Sequence, residues 1–100
     1  VSQLKLIKHK NQHIVFGAVN DKDVSRILNL LPKKANYYFC RANIPRALNE
    51  NELLLIAAKC RLKGTAFSSV RKALLAAKKK AAKNDLIFIG GSTFVVAEAL

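Results

Sequence analysis

Three short runs of β-branched and aromatic residues each end at a small polar loop, after which the pattern becomes helical. The runs are residues 13–17, 36–40 and 85–90, and the loops that follow them are residues 18–23, 41–46 and 91–93. This order of strand, loop and helix is typical of α/β folds with a parallel sheet. In such sheets ligands bind at the carboxyl edge, where the loops after the strands lie. The repeat therefore predicts both the fold class and the edge that carries function.

The pattern extends over residues 1–100 as a single domain, with four strands alternating with helices and no long linker. A first helix is expected in residues 1–10. The next helix is expected to begin at Asn20 or Asp21 and to end before Pro32, with apolar residues on one face. These are Val24, Ile27, Leu28 and Leu31. Residues 36–41 are apolar at consecutive positions, which indicates a central strand covered on both faces.

The second half of the chain carries its own helix and strand signals. Pro45 suits the first turn of a short helix. Asn49, followed by Glu52, predicts the start of a longer helix that continues to Leu62 and ends at a left-handed Gly64. A strand at residues 65–68 is followed by a helix that is capped by either Ser68 or Ser69. The last strand leads through a glycine turn into a helix at residues 93–100. The inward positions of the serine-capped helix are expected to be Val70, Leu74, Ala77 and Ala81.

The charge balance is strongly basic, with 18 Lys and Arg against 6 Asp and Glu and a net charge of +12. Such a charge fits nucleic-acid binding, because basic stripes neutralise phosphates. The lysines are spread over several helices, however, and Tyr37, Tyr38, Phe39 and Phe88 fall inside strand runs rather than between basic residues. A solvated basic face is the favoured interpretation, and no nucleic-acid partner is expected.

Other compositional features point to a cytoplasmic domain. No apolar stretch approaches the ~20 residues that span a bilayer, and residues 1–8 lack the pattern of a secretory signal. Cys40 and Cys60 have neither metal-site nor redox spacing, so two reduced thiols are expected. His9 and His13 have no acidic or cysteine companions nearby, so no metal site is assigned. The sequence contains no methionine, which favours a domain excised from a longer chain.

Three loops offer candidate binding residues. The turn at residues 90–93 has two glycines that permit close backbone approach, and Ser92 precedes a predicted helix, where anions are favoured. Arg46 could clamp a carboxylate. Asp21, Lys22 and Asp23 could contact ribose, magnesium or phosphate. Each has an ordinary structural alternative as a helix cap or an exposed side chain, and no nucleophile–histidine pair is visible, so the spacing alone identifies no catalytic residue.

Four segments together resemble a known family: HIVFGAVNDKDVSRILNLLPK, YYFCRANIPRAL, LKGTAFSSVRKALLAAK and NDLIFIGGSTFVVAEAL. They resemble the C-terminal domain of folylpolyglutamate synthase/dihydrofolate synthase, in the Mur ligase superfamily, over residues 13–100. The resemblance implies a Rossmann-like three-layer α/β sandwich with a mostly parallel sheet, of the Mur ligase C-terminal type. It also implies that the domain's first strand lies upstream of Val1 and that residues 1–100 are the C-terminal domain fragment of a larger ligase.

The resemblance further implies a reaction. ATP phosphorylates a carboxylate of dihydropteroate or folate, L-glutamate attacks the acyl phosphate, and Mg²⁺ neutralises the phosphates. The family's phosphate loop lies in an N-terminal ATPase domain, which is the expected partner. Neither a GxxxxGK[ST] loop nor the family's Asp-x-x-His-Asn motif occurs in these 100 residues. The isolated chain is therefore expected to bind neither ATP nor Mg²⁺ by itself and to be inactive.

The resemblance also suggests roles for the loop residues. Asn43-Ile-Pro-Arg46 resembles the Asn-Pro-Arg loop that other Mur ligases use for the incoming amino acid, so Arg46 is the first candidate for glutamate and Ser92 the second. Asp21, Lys22 and Asp23 would form a nucleotide-side or interdomain loop. No catalytic residue and no metal ligand is assigned to the chain. The alternatives are a small basic nucleic-acid-binding module and a free-standing nucleotide-binding or regulatory domain.

Overall fold

The computed structural model describes residues 11–19 and 24–91 together with Val95, Ala97 and Ala99. Its strands are β1 (Gln12–Gly17), β2 (Asn36–Phe39), β3 (Lys63–Ala66) and β4 (Leu86–Gly91). Its helices are α1 (Val24–Asn29), α2 (Glu50–Lys59) and α3 (Val70–Lys80), and the backbone is again helical at Val95, Ala97 and Ala99. The four strands lie in the order β3-β2-β1-β4, and every pairing is parallel. The predicted α/β fold with a parallel sheet is confirmed.

Helices cover both faces of the sheet, which makes the three layers of the predicted sandwich. α1 and α2 pack on one face, with a core that includes Phe16, Leu28 and Leu53. α3 packs on the other face, where Val70 and Val95 are among the buried residues. Successive strand residues point to opposite faces, so each strand supplies both cores.

Strand β2 shows why a continuous apolar run belongs at the centre of a sheet. Tyr37 and Phe39 enter the α1–α2 core, whereas Tyr38 enters the α3 core, and all three side chains are buried. The Tyr37 hydroxyl donates to the carbonyl of Pro32 at 2.6 Å, and burial raises the pKa of Tyr37 to about 12. The prediction that β2 is a central strand is confirmed.

Two predicted helix starts are also confirmed. The Asn49 side-chain oxygen accepts hydrogen bonds from the backbone amides of Asn51, at 2.8 Å, and Glu52, at 3.3 Å. At the start of α3 the cap is Ser69, whose hydroxyl accepts from the Lys72 amide at 3.1 Å. Both caps satisfy amides that have no partner inside the helix.

The prediction that α2 continues to Leu62 and ends at Gly64 is wrong. The helix ends at Lys59, and Arg61 takes the left-handed conformation with φ 64°. The Leu62 amide then donates to the Ala57 carbonyl at 3.0 Å, a bond of the Schellman type. This early turn brings Leu62 into the core, where it is buried.

Gly64 instead lies inside β3, beside β2. A β-carbon on Gly64 would lie 2.6 Å from both the Phe39 ring and the Tyr37 carbonyl oxygen. The residue is therefore small because its backbone lies against two β2 residues, and not because a helix cap requires it. That contact exists only in the folded sheet.

Other boundaries differ as well. Pro45 starts no helix. The chain instead forms a compact turn in which the Ala47 amide donates to the Ile44 carbonyl oxygen at 3.2 Å. On α3, Val70 and Ala77 are buried as predicted, and Leu74 is partly buried against the same core. Ala73 is also buried there, whereas Ala81 follows the end of the helix and is partly exposed. The helix predicted in residues 1–10, the caps at Asn20 and Asp21 and part of the helix in residues 93–100 lie outside the described residues.

Candidate functional site

The strand order creates a crevice at the carboxyl ends of β1 and β4. β1 pairs with β2 on one side and β4 on the other, and the described residues that follow them pack on opposite faces. Val24, after β1, enters the α1–α2 core, whereas Val95, after β4, enters the α3 core. Such a reversal point is where open α/β sheets bind ligands.

A hollow of about 290 Å³ lies at this crevice. Its lining residues come from the end of β1, the start of α1 and the end of β4. They are Phe16, Gly17, Ala18, Val19, Val24, Ile27 and Gly91. The described part of the lining is mostly apolar, so any charge that a ligand requires must come from the loops around it.

Two glycines let the strands approach closely at this edge. Gly17 and Gly91 form the last pair in the β1–β4 register. A β-carbon on Gly17 would lie 2.7 Å from Val95 Cγ2 and 2.8 Å from the Cys40 carbonyl oxygen. Gly91 has φ 102°, and a β-carbon there would collide with the Gly17 carbonyl. A β-carbon on Gly90 would meet nothing within 4 Å, so the close approach predicted for both glycines applies to Gly91. Both glycines belong to β4 and not to the turn after it.

Arg46 lies beside the crevice, on the loop after β2. It lines a second hollow, of about 630 Å³, with Val19, Ile44 and Pro45. The two loops are joined by an antiparallel bridge between Val19 and Ala47. Because Val19 lines both hollows, the Arg46 hollow and the crevice form one continuous edge. The Arg46 side chain is exposed, and no carboxylate within the described ranges pairs with it.

A second arginine on the same loop, Arg41, forms an ion pair with Glu50. The sequence did not predict this pair. Glu50, the first residue of α2, is 9% exposed, and its Oε1 lies 3.6 Å from Arg41 Nε. That oxygen accepts no hydrogen bond from the described residues. The start of a helix favours a carboxylate, and the ion pair restrains the half-exposed Arg41 guanidinium at the carboxyl end of β2. An acid in the first turn of a helix is common, so no specific sequence signal marks this pair.

The other predicted site residues, Asp21, Lys22, Asp23 and Ser92, lie outside the described residues. Described residues lie close to both loops. Val19 and Val24 flank the first loop, and both line the crevice, as does Gly91 immediately before Ser92. The roles suggested for these residues and for Arg46 remain predictions.

At the opposite edge of the sheet the structure contains a buried polar group that the sequence did not reveal. His13 Nε2 lies 2.8 Å from Asp85 Oδ2, and His13 Nδ1 lies 2.8 Å from the Tyr38 hydroxyl. The Ala82 amide, together with His13, holds the pKa of Asp85 below its usual range. Burial, together with the negative charge of Asp85, raises the pKa of Tyr38. The three residues lie 25 to 72 positions apart in sequence, so no local motif marks them.

The remaining expectations concern metals, thiols and membranes. In the part of the chain that the structure describes, no three His, Cys, Asp or Glu side chains come together as a metal site. Cys40 and Cys60 are buried, and neither forms a disulfide with another described residue. None of the helices within the described ranges is long and apolar enough to cross a membrane.

The fold is that of an α/β domain with a glycine-lined crevice at the carboxyl edge of its parallel sheet. Comparison with known families is more specific, because the model of the family "Mur ligase, glutamate ligase domain" matches residues 1–93. The chain belongs to this family. The predicted resemblance to the Mur ligase superfamily is thereby confirmed at the level of the family and fold.

Sequence identity to individual proteins is consistent with this family assignment. The chain is 37% identical over 90 residues to a probable bifunctional folylpolyglutamate synthase/dihydropteroate synthase of Haloferax volcanii, covering 87% of this chain and 10% of that protein. It is 31% identical over 90 residues to the dihydrofolate synthase/folylpolyglutamate synthase of Buchnera aphidicola, covering 86% of this chain and 20% of the relative. The chain thus spans a fifth or less of the length of these two relatives.

Solved structures show the same relationship. The E. coli FolC complex with DHPP and ADP matches with a TM-score of 0.82 and 28% identity, over 96% of this chain and 22% of that one. The bifunctional folylpolyglutamate synthase/dihydrofolate synthase of Yersinia pestis, complexed with AMPPNP and Mn, matches with a TM-score of 0.72 and 25% identity, over 87% of this chain and 20% of that one. The comparisons do not favour the nucleic-acid-binding alternative, and Tyr37, Tyr38 and Phe39 are buried and therefore unavailable for stacking on bases.

Proposed function

We propose that this chain is the C-terminal domain of a cytoplasmic ATP-dependent ligase that adds L-glutamate to dihydropteroate or to folates. In the proposed reaction the γ-phosphoryl group of ATP passes to a substrate carboxylate, giving an acyl phosphate and ADP. The glutamate amine then attacks the acyl carbon, losing a proton, and inorganic phosphate leaves. The new bond is an amide.

The observation that carries the proposal is the carboxyl edge of the sheet, in a chain that matches the glutamate ligase domain family over residues 1–93. The crevice between β1 and β4 and the hollow beside Arg46 share Val19. One edge can therefore contact two ligands, or two parts of one ligand. This arrangement fits a domain that closes over a substrate site formed elsewhere in the parent protein.

Within this edge we assign the glutamate carboxylate to Arg46. Its guanidinium is exposed at the rim of an otherwise apolar hollow, with no carboxylate partner among the described residues. An arginine can bind a carboxylate through two parallel hydrogen bonds. Ser92 is the second candidate for glutamate, and Asp21, Lys22 and Asp23 are candidates for the nucleotide side or for the domain boundary.

ATP and Mg²⁺ are proposed to bind mainly to an N-terminal ATPase domain of the parent chain. The described residues form no metal site, and the 100 residues contain no GxxxxGK[ST] loop. Mg²⁺ would neutralise the phosphate charge when bound in that domain. By this proposal the 100-residue chain alone does not catalyse ligation.

Two measurements test the proposal. The parent protein, expressed from the open reading frame around Val1, should form amide product only with ATP, L-glutamate and a pteroate or folate acceptor. The purified 100-residue chain should release no ADP under the same conditions. An open reading frame without a phosphate loop upstream would contradict the domain assignment, and folate- and glutamate-dependent ATP consumption by the isolated chain would contradict its inactivity.

A further inference from the structure

A cavity of about 360 Å³ opens at the amino ends of the strands, on the edge opposite to the Arg46 hollow. Its lining is mostly polar, in contrast to the apolar hollows at the carboxyl edge. The lining residues are Asn11, His13, Asn36, Tyr37, Tyr38, Lys63, Gly64, Thr65 and Lys80. We call this space the amino-edge cavity. Its volume lies at the lower end of the range of about 300–1,000 Å³ for ligand pockets, which suits a small ligand.

The strand register explains why polar groups gather in this place. His13 pairs with Asn36, and Asn36 pairs with Lys63, so these residues form one row across β1, β2 and β3. Tyr38 and Thr65 pair in a row further along the same strands. Alternation puts both rows on one face of the sheet, and Tyr38 identifies it as the face that packs against α3.

The hydrogen bonds of His13 hold part of the cavity wall rigid. The imidazole contacts the Tyr38 hydroxyl on one side and Asp85 on the other, each at 2.8 Å. Asp85 also accepts from the backbone amides of Ala82, at 2.9 Å, and Asn11, at 3.2 Å. The Asp85 carboxylate is therefore held by three hydrogen bonds behind the wall, and Asp85 is not among the described lining residues of the cavity.

The remaining charges at the cavity favour an anion. Among the described residues, the lining contains Lys63 and Lys80 and no Asp or Glu. Lys80 is the last residue of α3, and a helix C-terminus opposes an anion with about half a negative charge. Two full positive charges outweigh that half charge. The Thr65 hydroxyl and the Asn36 amide add hydrogen-bond donors of the kind that oxyanions accept.

We propose that the amino-edge cavity is a second binding site, which takes a small oxyanion, a phosphate or carboxylate group, between Lys63 and Lys80. The site is independent of the proposed ligase function, because it lies at the other end of the strands and uses none of the residues assigned to glutamate. The His13–Tyr38 pair forms its rigid wall.

The test is an NMR titration of the purified 100-residue chain with inorganic phosphate and, separately, with citrate, at constant ionic strength. Saturable shifts are expected at the amides of residues 36–38 and 63–65. The double variant Lys63→Gln/Lys80→Gln should weaken binding about tenfold or more, the loss of two charged contacts. The matched variant Lys59→Gln/Lys72→Gln removes the same charge from exposed positions outside the cavity and should change binding less than about twofold.

The outcomes are distinct. Tighter binding of phosphate than of citrate would support the site and identify a phosphate ligand, whereas the reverse order would support it with a carboxylate ligand. Equal weakening in the two double variants would show only general attraction to a basic protein and would overturn the proposal. An absence of saturable shifts at residues 36–38 and 63–65 up to about 10 mM anion would overturn it as well.

Discussion

His13 and Asp85, 72 residues apart in sequence, form a buried hydrogen bond that joins the amino ends of β1 and β4. Their side chains are 3% and 2% exposed, and Nε2 lies 2.8 Å from Oδ2. Asp85 immediately precedes β4, and His13 lies at the second position of β1. The contact therefore fixes the start of β4 against the start of β1, the pair of strands that forms the crevice at the other edge.

The lowered pKa of Asp85 predicts how acid affects the fold. The folded-state pKa lies below the unfolded one, because the Ala82 amide and His13 favour the carboxylate. The stabilisation is complete above the unfolded pKa of about 4, and it is lost as pH falls through the lowered folded pKa. Asp85→Asn should therefore unfold at lower urea concentration than the parent sequence at pH 7, and the difference should shrink between about pH 5 and pH 3.

Urea unfolding at a series of pH values measures this difference directly. Glu52→Gln is the matched control, since Glu52 is an exposed acid whose side chain has no ion pair among the described residues. A difference between Asp85→Asn and the parent sequence that stays constant from pH 7 to pH 3 would refute the assigned role of the carboxylate charge.

Neighbouring glycines at the end of β4 should respond very differently to alanine. Gly91 has φ 102°, and a β-carbon there would collide with the Gly17 carbonyl, whereas a β-carbon on Gly90 would meet nothing within 4 Å. Gly91→Ala should lower the free energy of unfolding by about 2 kcal/mol through backbone strain and overpacking. Gly90→Ala should change it by less than about 0.5 kcal/mol. Chemical denaturation measures both variants, and equal effects would contradict the close approach of β1 and β4.

Replacing Arg61 by glycine should instead raise the free energy of unfolding. An L-residue in the left-handed region costs roughly 1–2 kcal/mol, and glycine avoids this cost while losing about 0.5–1 kcal/mol of backbone entropy. Arg61→Gly should therefore stabilise the fold by about 0.5 kcal/mol, given its φ of 64°. Arg26→Gly, at an exposed position inside α1, should destabilise it by about 1 kcal/mol. Thermal and urea unfolding should rank the two variants on opposite sides of the parent sequence.

The proposed role of Arg46 can be tested in the parent protein. Loss of a charge-assisted contact worth roughly 1.5–3 kcal/mol should raise the KM for glutamate about tenfold or more in Arg46→Ala. The KM for ATP should change less than about twofold, because the residue is assigned to the amino acid. Arg71→Ala, on the exposed face of α3, is the matched control and should leave both constants unchanged. Equal increases in the two KM values would exclude the assignment of Arg46 to glutamate.

Local sequence was sufficient where the physical cause is local. The apolar run of Tyr37, Tyr38 and Phe39 predicted a central strand, since only a strand covered on both faces buries consecutive side chains. Asn49 predicted the start of α2, and Ser68 or Ser69 that of α3, because a cap needs only its own side chain and the next few amides. The loops after the strands indicated the carboxyl edge for the same kind of reason, and Arg46 lies there.

Tertiary structure decided the features that depend on distant partners. The sequence predicted that α2 ends at Gly64, but the helix ends at Lys59, and the turn after it buries Leu62 in the core. Gly64 lies in close contact with β2 instead. The His13–Asp85 pair and the amino-edge cavity arise from the parallel register, which aligns residues far apart in the chain. The sequence by itself determined the order of the elements and the edge of the sheet that carries the Arg46 loop. Only the packed sheet decided which side chains meet, because close contacts depend on register and on helix placement, and neither is encoded within a few residues.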